Sequence, residues 1–411
     1  MKILWVKAGG LVPPDVGGRI RSYQILKELA QRHDITLFTF YARETHDSHS
    51  DLNKIFRRVI AIPLELPRSR SVGEGLDYAR NLLSSRPYNI TKFCHRAVAD
   101  RLLSLVRAEP FDVIVCDFAI AGGAIPWELG IPKILFTHNV EAQIWQRHYE
   151  VARNPVWKAA CWREYKAMSR AEREYARRAD HILAVSEPDR NYFLQFVDAD
   201  RVSVIPTGVD VDYFRPATVL DEGPRLVFTG SMDWMPNEDG ILHFAKTIWP
   251  LIHGEMPEVT VSVVGRHPSP RVRALAATLP GWEVTGRVED VRPYLARARA
   301  FIVPLRVGSG TRLKIFEAMA MGKAVVSTTI GAEGLPVLSG RNIMLADQPE
   351  EFAHCCLDLL GDTAWREALG HMARQLVEIS YSWRAVAEEV EAALRRVVEQ
   401  HPQTTTQGVP A

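Results

Sequence analysis

The sequence predicts an α/β protein of two Rossmann-like domains in tandem. Two observations carry this. Short apolar runs alternate with helical stretches along nearly the whole chain, which is the pattern of parallel sheets with helices between the strands. A break at 206–224, holding three prolines, two glycines and several acidic residues, separates one such series from the next. The 411 residues suffice for two domains with cores of their own, and a chain that is 47% hydrophobic and 24% charged has ordinary globular composition.

In the first domain, 1–205, the runs 3–6, 35–40, 59–62, 113–116, 133–137 and 181–185 read as strands. They are rich in Val, Ile, Leu and Phe because helices cover both faces of a parallel sheet. Helices fill 18–32, 97–108 and much of 156–178. The segment 206–224 reads as a linker. A fresh α/β series then forms the second domain, 225–378, with strand-like runs RLVFTG, VTVSVVG, WEVTG, AFIVPL, AVVST and IML. The segment 379–400 is helical and is expected to pack back toward the first domain, and 401–411 reads as a disordered tail.

Composition excludes several classes. A formal net charge of +1 gives no bulk electrostatic case for nucleic acid. No run of 18 apolar residues spans a membrane, and MKILWVKAGG reads as a first buried strand and not as a signal peptide. Five scattered cysteines without C-x-x-C spacing argue against a disulfide framework and a structural zinc, so the cytoplasm is the simplest home. No metal site is expected. Asp210-Val211-Asp212 sits between Pro206 and Pro216 and reads as a turn, as does Asp198-Ala199-Asp200. The stretch 151–178 holds eight Lys or Arg against three Asp or Glu, with Trp157 and Trp162. Two readings stay open: a basic face resting on anionic lipid at the inner membrane face, or a solvated helix whose tryptophans are core.

The most informative stretch is AFIVPLRVGSGTRLKIFEAMAMGKAVVST, 300–328. It reads as strand 300–305, a small-residue turn Gly308-Ser309-Gly310-Thr311, helix 313–321 and strand 324–327. A glycine turn entering a helix lets backbone N–H groups approach an anion, and the helix dipole favours negative charge there. Arg306, Arg312 and Lys314 stand around the turn and are suited to a diphosphate. Leu313, Phe316 and Ala320 should face the sheet, while Lys314 and Glu317, three apart, share another face. Two rival phosphate motifs fail. A Walker loop needs glycine five residues before the Gly322-Lys323 pair, where Glu317 stands. A dinucleotide fingerprint needs glycine where Leu313 stands.

The 300–328 unit closes an ordered set of motifs: Asp15-Val16-Gly17-Gly18-Arg19, Thr137-His138-Asn139-Val140-Glu141, Ala184-Val185-Ser186, Ile205-Pro206-Thr207-Gly208, Thr229-Gly230-Ser231 and Gly286-Arg287-Val288 come before it. With these motifs in this order, the chain resembles the GT-B glycosyltransferases of family 4, the glycosyl transferases group 1. The resemblance implies two Rossmann-like domains with parallel sheets facing across a cleft. It implies a nucleotide-diphosphate sugar as substrate, no cofactor, and a glycan or lipid-linked acceptor, with retention at the anomeric carbon. Glu317 then matches the ribose-binding glutamate. Gly310 and Thr311 match the turn that meets the diphosphate, and Gly308, Ser309 and Arg312 are counted with them as donor-binding. Gly230 and Ser231 open the donor domain, Arg287 and Val288 match a loop that touches the base, and Gly17 and Gly18 match a glycine pair that closes over phosphate and sugar. His138 matches a histidine near the reacting sugar, and Glu141 lies where an acceptor contact is expected. Arg306 and Lys314 take catalytic charge-stabilising roles.

The sequence departs from the family pattern twice. Two glutamates eight positions apart are usual, and here Ser309 stands in the first place. The stretch TGSMDWMPN, 229–237, lacks the usual Arg and Lys, which puts the phosphate duty on Arg306, Arg312 and Lys314. Two alternatives remain: a non-hydrolysing nucleotide-sugar epimerase, and a non-catalytic nucleotide-sugar binding protein.

Overall fold

Thirteen strands fall into two wholly parallel sheets in the computed structural model, which describes residues 1–14, 17–43, 48–68, 71–82, 84–217, 223–307 and 313–401. The chain divides into two units, one of Met1–Pro206 with the chain from Val386 onward, the other Thr207–Ala385.

The first unit is built on β1 (Lys2–Ala8), β2 (Asp34–Ala42), β3 (Arg58–Leu64), β4 (Val113–Asp117), β5 (Lys133–Phe136), β6 (His181–Ala184) and β7 (Val202–Val204), ordered β3-β2-β1-β4-β5-β6-β7. Ile3 pairs with Ile35 on one side and Val113 on the other. Such central residues are buried on both faces, hence their continuous apolar runs. The helices are α1 (Gly17–Leu29), α2 (Val72–Asn81), α3 (Tyr88–Phe93), α4 (Arg96–Ala108), α5 (Glu141–Val151), α6 (Pro155–Arg178) and α7 (Glu187–Phe193). α4 buries Val98, Leu102, Leu105 and Val106, an i, i+4, i+7, i+8 stripe. α6 starts where it does because the Asn154 side chain accepts the N–H groups of Val156 and Trp157, with Pro155 preset for the first turn.

The second unit repeats the scheme with β8 (Arg225–Thr229), β9 (Thr260–Val264), β10 (Trp282–Gly286), β11 (Ala300–Val303), β12 (Ala324–Ser327) and β13 (Met344–Leu345), ordered β10-β9-β8-β11-β12-β13. Its helices are α8 (Met235–His243), α9 (Trp249–Glu255), α10 (Pro270–Thr278), α11 (Arg292–Arg297), α12 (Leu313–Ala320), α13 (Pro349–Gly361) and α14 (Thr363–Ser380), and α15 (Trp383–Gln400) follows. α12 buries Ile315, Phe316, Ala318, Met319 and Ala320, a wider face than the predicted stripe, while Leu313 is only half-buried. Phe316 stacks on Tyr381 at 4.4 Å, so a second apolar surface covers the helix.

Two segments differ from the sequence reading. The predicted linker 206–224 is, from Thr207 as far as 217, part of the second unit. Val209 lies in its core, and the Val209 N–H donates to the Tyr381 carbonyl at 2.7 Å. α14 also runs across the expected boundary at 378, and the chain joins the first unit only from Val386, where Glu391 pairs with Arg32 at 2.8 Å and His33 at 3.1 Å. The Asp210 carboxylate accepts the N–H groups of Asp212 (3.2 Å) and Tyr213 (2.9 Å), closing a turn as the sequence suggests. The strand order reverses between β1 and β4 in one sheet and between β8 and β11 in the other. Open parallel sheets receive ligands at such places, beyond the carboxyl ends of the strands.

Candidate active site

Three charged or polar side chains meet at the carboxyl ends of β1, β4 and β5, at the first reversal. Lys7 donates to Asp117 Oδ1 and to the Ser22 hydroxyl, both at 3.0 Å. Trp5 Nε1 donates to Asp117 Oδ2 at 2.7 Å, and His138 Nε2 lies 2.7 Å from Asp117 Oδ1. Asp117 is fully buried and His138 nearly so. Burial by itself pushes the Asp117 carboxyl up, but Lys7 and His138 outweigh it and hold the group well below the usual carboxylate range. Burial pulls His138 down to about 4 against the pull of Asp117, so the ring is neutral at pH 7. A carboxylate only accepts, so Nε2 carries the proton toward Asp117 and Nδ1 accepts from Arg21 Nη1 at 3.3 Å. Phe118 and Phe136 flank the ring at 5.6 and 4.7 Å. Phe118 sits at φ 78°, a strained conformation for a side-chain-bearing residue, of the kind that clusters at functional sites.

Gly18 adjoins this cluster on α1: a Cβ there would lie 3.5 Å from the His138 ring, so glycine allows the helix its close approach. Gly17 is the exposed first residue of the same helix. Glu141 opens α5, and burial pushes its carboxyl up to about 7 against an opposing hydrogen bond from Asn139. The N–H groups of Glu141 and Ala142 are satisfied by Glu172 of α6, at 2.8 and 3.3 Å. Burial pushes that carboxyl up to about 8.

In the second unit the reversal gathers the end of β8, the start of α12 and the residue after β9. Lys314 Nζ donates to Asn237 Oδ1 at 2.7 Å and rests 4.1 Å from the centroid of the Phe228 ring. Asn237 Nδ2 in turn donates to the Ser231 carbonyl at 2.8 Å. Arg266 Nε donates to the Ser231 hydroxyl at 2.8 Å, which itself donates to Asp233. Two glycines make the crowding possible. A Cβ on Gly230 would stand 2.7 Å from both Lys314 Nζ and Asn237 Nδ2, and one on Gly265 would strike the Gly230 carbonyl oxygen at 1.8 Å. Burial pushes the Glu317 carboxyl, one turn along α12 from Lys314, up to about 7, with Lys314 opposing. Arg306 is half exposed and held by Asp239 of α8 through two bonds of 2.7 and 3.1 Å. Arg287 follows Gly286, which has φ 72°, and is exposed. Val288 packs partly against the core. Gly308, Ser309, Gly310, Thr311 and Arg312, like Asp15 and Val16, lie outside the described residues.

The structure thus brings Gly18 to His138 in one unit and Gly230, Ser231 and Lys314 together in the other. Lys7, Arg21, Asp117, Asn237 and Arg266 escaped the sequence reading. Lys7 and Asp117 had a signal, since each is a charge at the end of an otherwise apolar strand. Arg266 follows a glycine at the end of VTVSVV, which is the same signal. Asn237 had none. Among the described residues no cluster of three or more His, Cys, Asp or Glu is placed to hold a metal.

Family profiles match the chain twice: Glycosyltransferase Family 4 over residues 17–213, and Glycosyl transferases group 1 over 223–362. With the GT-B architecture described above, the chain belongs to the GT-B glycosyltransferases of family 4. It is similar to a phosphatidyl-myo-inositol mannosyltransferase of Mycolicibacterium smegmatis, 28% identical over 218 residues, 51% of this chain and 55% of that one. It is also similar to a D-inositol 3-phosphate glycosyltransferase of Frankia alni, 25% identical over 331 residues, 73% and 78% of the two chains. The match to the mannosyltransferase spans about half of that protein's length. Among solved structures, sucrose-phosphate synthase from Thermosynechococcus elongatus covers 97% of this chain and is itself wholly covered, at TM-score 0.64 and 16% identity. Anabaena HepE in complex with UDP covers 96% and is likewise wholly covered, at TM-score 0.65 and 15% identity. At such identities the likeness is one of fold.

Proposed function

We propose that this chain transfers a sugar from a nucleotide-diphosphate sugar to a glycan or lipid-linked acceptor, with retention of configuration and without a metal. The observation that carries the reading is the Lys314–Asn237–Gly230 cradle at the β8/β11 reversal, with Arg266 beside it. Two cations and the N-terminus of α12 converge there, which suits a diphosphate leaving group. Asp239 already engages Arg306, so in this reading Lys314 and Arg266 hold the diphosphate first and Arg306 second. Glu317 accepts hydrogen bonds from the ribose hydroxyls, and Gly230, Ser231, Arg287 and Val288 line the nucleotide. The names of relatives favour a lipid-linked acceptor: two are mannosyltransferases acting on phosphatidyl-myo-inositol or its mannoside, one of them dependent on GDP-mannose. A role in glycolipid or surface-polysaccharide assembly follows from that reading.

In the transfer the bond between the anomeric carbon and the diphosphate oxygen breaks, and the acceptor oxygen bonds to the same face of the sugar. The acceptor's proton passes to the departing diphosphate. The protein's share is to hold both partners in place and stabilise the leaving charge. His138 is assigned to the donor sugar as a neutral ring, held in place by Asp117 at Nε2 and Arg21 at Nδ1. Glu141 is assigned to the acceptor.

Calorimetry with a panel of UDP- and GDP-sugars and free nucleotides tests the site. One donor should bind, and Glu317→Ala should weaken it about ten- to a hundred-fold, the loss of a charge-assisted hydrogen bond. Equal binding by the variant, or no binding by any donor, would overturn the reading. Product analysis without acceptor separates an epimerase, and activity lost on chelation and restored by manganese would end the metal-free claim.

A further inference from the structure

The helix that follows His138 is fastened to the first unit at one end by a distant side chain. α5 buries only one residue fully, Ala142, so no broad apolar stripe holds it. Its first turn has no cap of its own. Val140 stands at the capping position without a side-chain bond to the helix, where Ser, Thr, Asp or Asn is usual. Val140 is buried in the apolar core, so that position serves packing. The N–H groups at the helix start therefore need an acceptor from elsewhere.

That acceptor is Glu172 of α6, 31 positions beyond Glu141. Its Oε1 takes the Glu141 N–H at 2.8 Å, and its Oε2 takes the Ala142 N–H at 3.3 Å. Oε2 also takes the Tyr192 hydroxyl of α7 at 3.2 Å. Glu172 is only 1% exposed. Burying a carboxylate is costly, and a helix start does not require one, since a serine at the capping position satisfies the same N–H groups locally. What the carboxylate adds is a fixed location. Two successive backbone N–H groups held by its two oxygens set the rotation and height of the first turn, and the third bond ties the group to α7. The dipole of α5 favours negative charge at that place. Glu141 stands on this turn, and its carboxyl bonds to the Asn139 side chain just before it. Where that carboxyl stands thus follows from where the turn stands. His138 is held separately, by Asp117 and Arg21, with Phe118 and Phe136 beside the ring.

We propose that Glu172 is a positioning residue for the transfer: it fixes the first turn of α5 and so places Glu141 for the acceptor. This rests on the assignment of Glu141 to the acceptor made above. Glu172 is buried, so it acts through Glu141 and not on a substrate. Glu172→Gln keeps the volume of the side chain but puts an NH2 group where one oxygen stood, so one of the three donors meets a donor. The turn is released there, while the ring of His138 keeps its own partners. The loss should therefore fall on acceptor recognition and not on the rate of the bound complex.

Two measurements on the full chain test this. By hydrogen exchange and mass spectrometry, peptides that cover 141–145 should exchange about tenfold or more faster in Glu172→Gln than in the wild type, with those from α12 unchanged. In steady-state transfer from the donor that calorimetry selects to phosphatidyl-myo-inositol, used as the acceptor probe, the acceptor KM should rise about tenfold, while kcat and donor affinity stay within about twofold. A merely structural role would reduce the folded enzyme, hence kcat, and leave KM alone. In a Glu141→Gln background the same substitution should change KM by less than about twofold, because the group it places is gone. Tyr192→Phe, which removes only the third bond, should move exchange and KM the same way by about two- to threefold, and it replaces Glu172→Gln should that variant not fold. Wild-type exchange in the variants, a loss confined to kcat, or effects of Glu172→Gln and Glu141→Gln that multiply overturn the proposal. A wild type that transfers nothing to this lipid from any donor overturns the acceptor reading above, and exchange still decides whether Glu172 fixes the turn.

Discussion

The two reversal points hold their charges differently. In the first unit Lys7, Asp117 and His138 are buried, and Asp117 alone accepts from a lysine, an indole and an imidazole. That network is complete without a ligand. In the second unit Lys314 is only partly buried; it donates to Asn237 and lies over the face of Phe228. A closed network fixes geometry and field in advance, which suits the place where charge develops during reaction. A cation nearer the solvent suits a ligand that arrives charged and leaves charged.

The sharpest break in that contrast is Asp117→Asn. It leaves Lys7 buried without its counter-ion and should cost roughly 3–5 kcal/mol in urea unfolding. Turnover should fall with it, while donor affinity is retained wherever the protein is folded. A stability unchanged by the substitution would show that the network is not a closed unit. Lys314→Ala should do the converse: donor affinity in calorimetry falls about ten- to a hundred-fold, and unfolding shifts by less than about 1 kcal/mol.

Acid sharpens the comparison further. The folded-state value of His138 is pulled below its ordinary one, so the unfolded chain binds the extra proton. Stability contributed at this site is present above about 6.5 and lost as pH falls toward about 4. His138→Asn should flatten that limb of the stability–pH curve. The Glu317 shift is in the opposite direction, upward. Burial raises its carboxyl to about 7, so donor affinity should weaken as pH falls through 7 in the wild type and not in Glu317→Gln. The smallest effect belongs to Arg306→Ala. Its exposed ion pair with Asp239 should change stability by less than about 1 kcal/mol, and donor affinity should move less than for Lys314→Ala.

Apolar runs and turn residues made nearly every strand legible before any coordinates, because parallel strands buried on both faces have no polar alternation to confuse them. Of the residues that motif order singles out, the structure brings Gly230 to Lys314, while Gly308 and Gly310 lie outside the described residues. The Lys7–Asp117 pair was not, because the partners are 110 positions apart and meet only when β1 and β4 become neighbours. Strand order is a property of the whole sheet. Asn237 escaped for a related reason: its side chain accepts from Lys314, 77 positions away. The linker was misjudged because Pro and Gly at 206–217 mark turns, and turns are compatible with burial. Gly208 is flush against Trp383, where a Cβ would come within 2.5 Å of the ring.

The contact between Gly265 and Gly230 bears on any attempt to redirect donor choice by directed evolution. With no room for even a methyl group between the turn after β8 and the end of β9, a library that randomises 265 returns almost only the parent. Diversity spent at Ser231, Arg266 or Arg287 would be sampled in folded protein. The glycine pair acts as a fixed hinge pin, and useful variation has to be written around it.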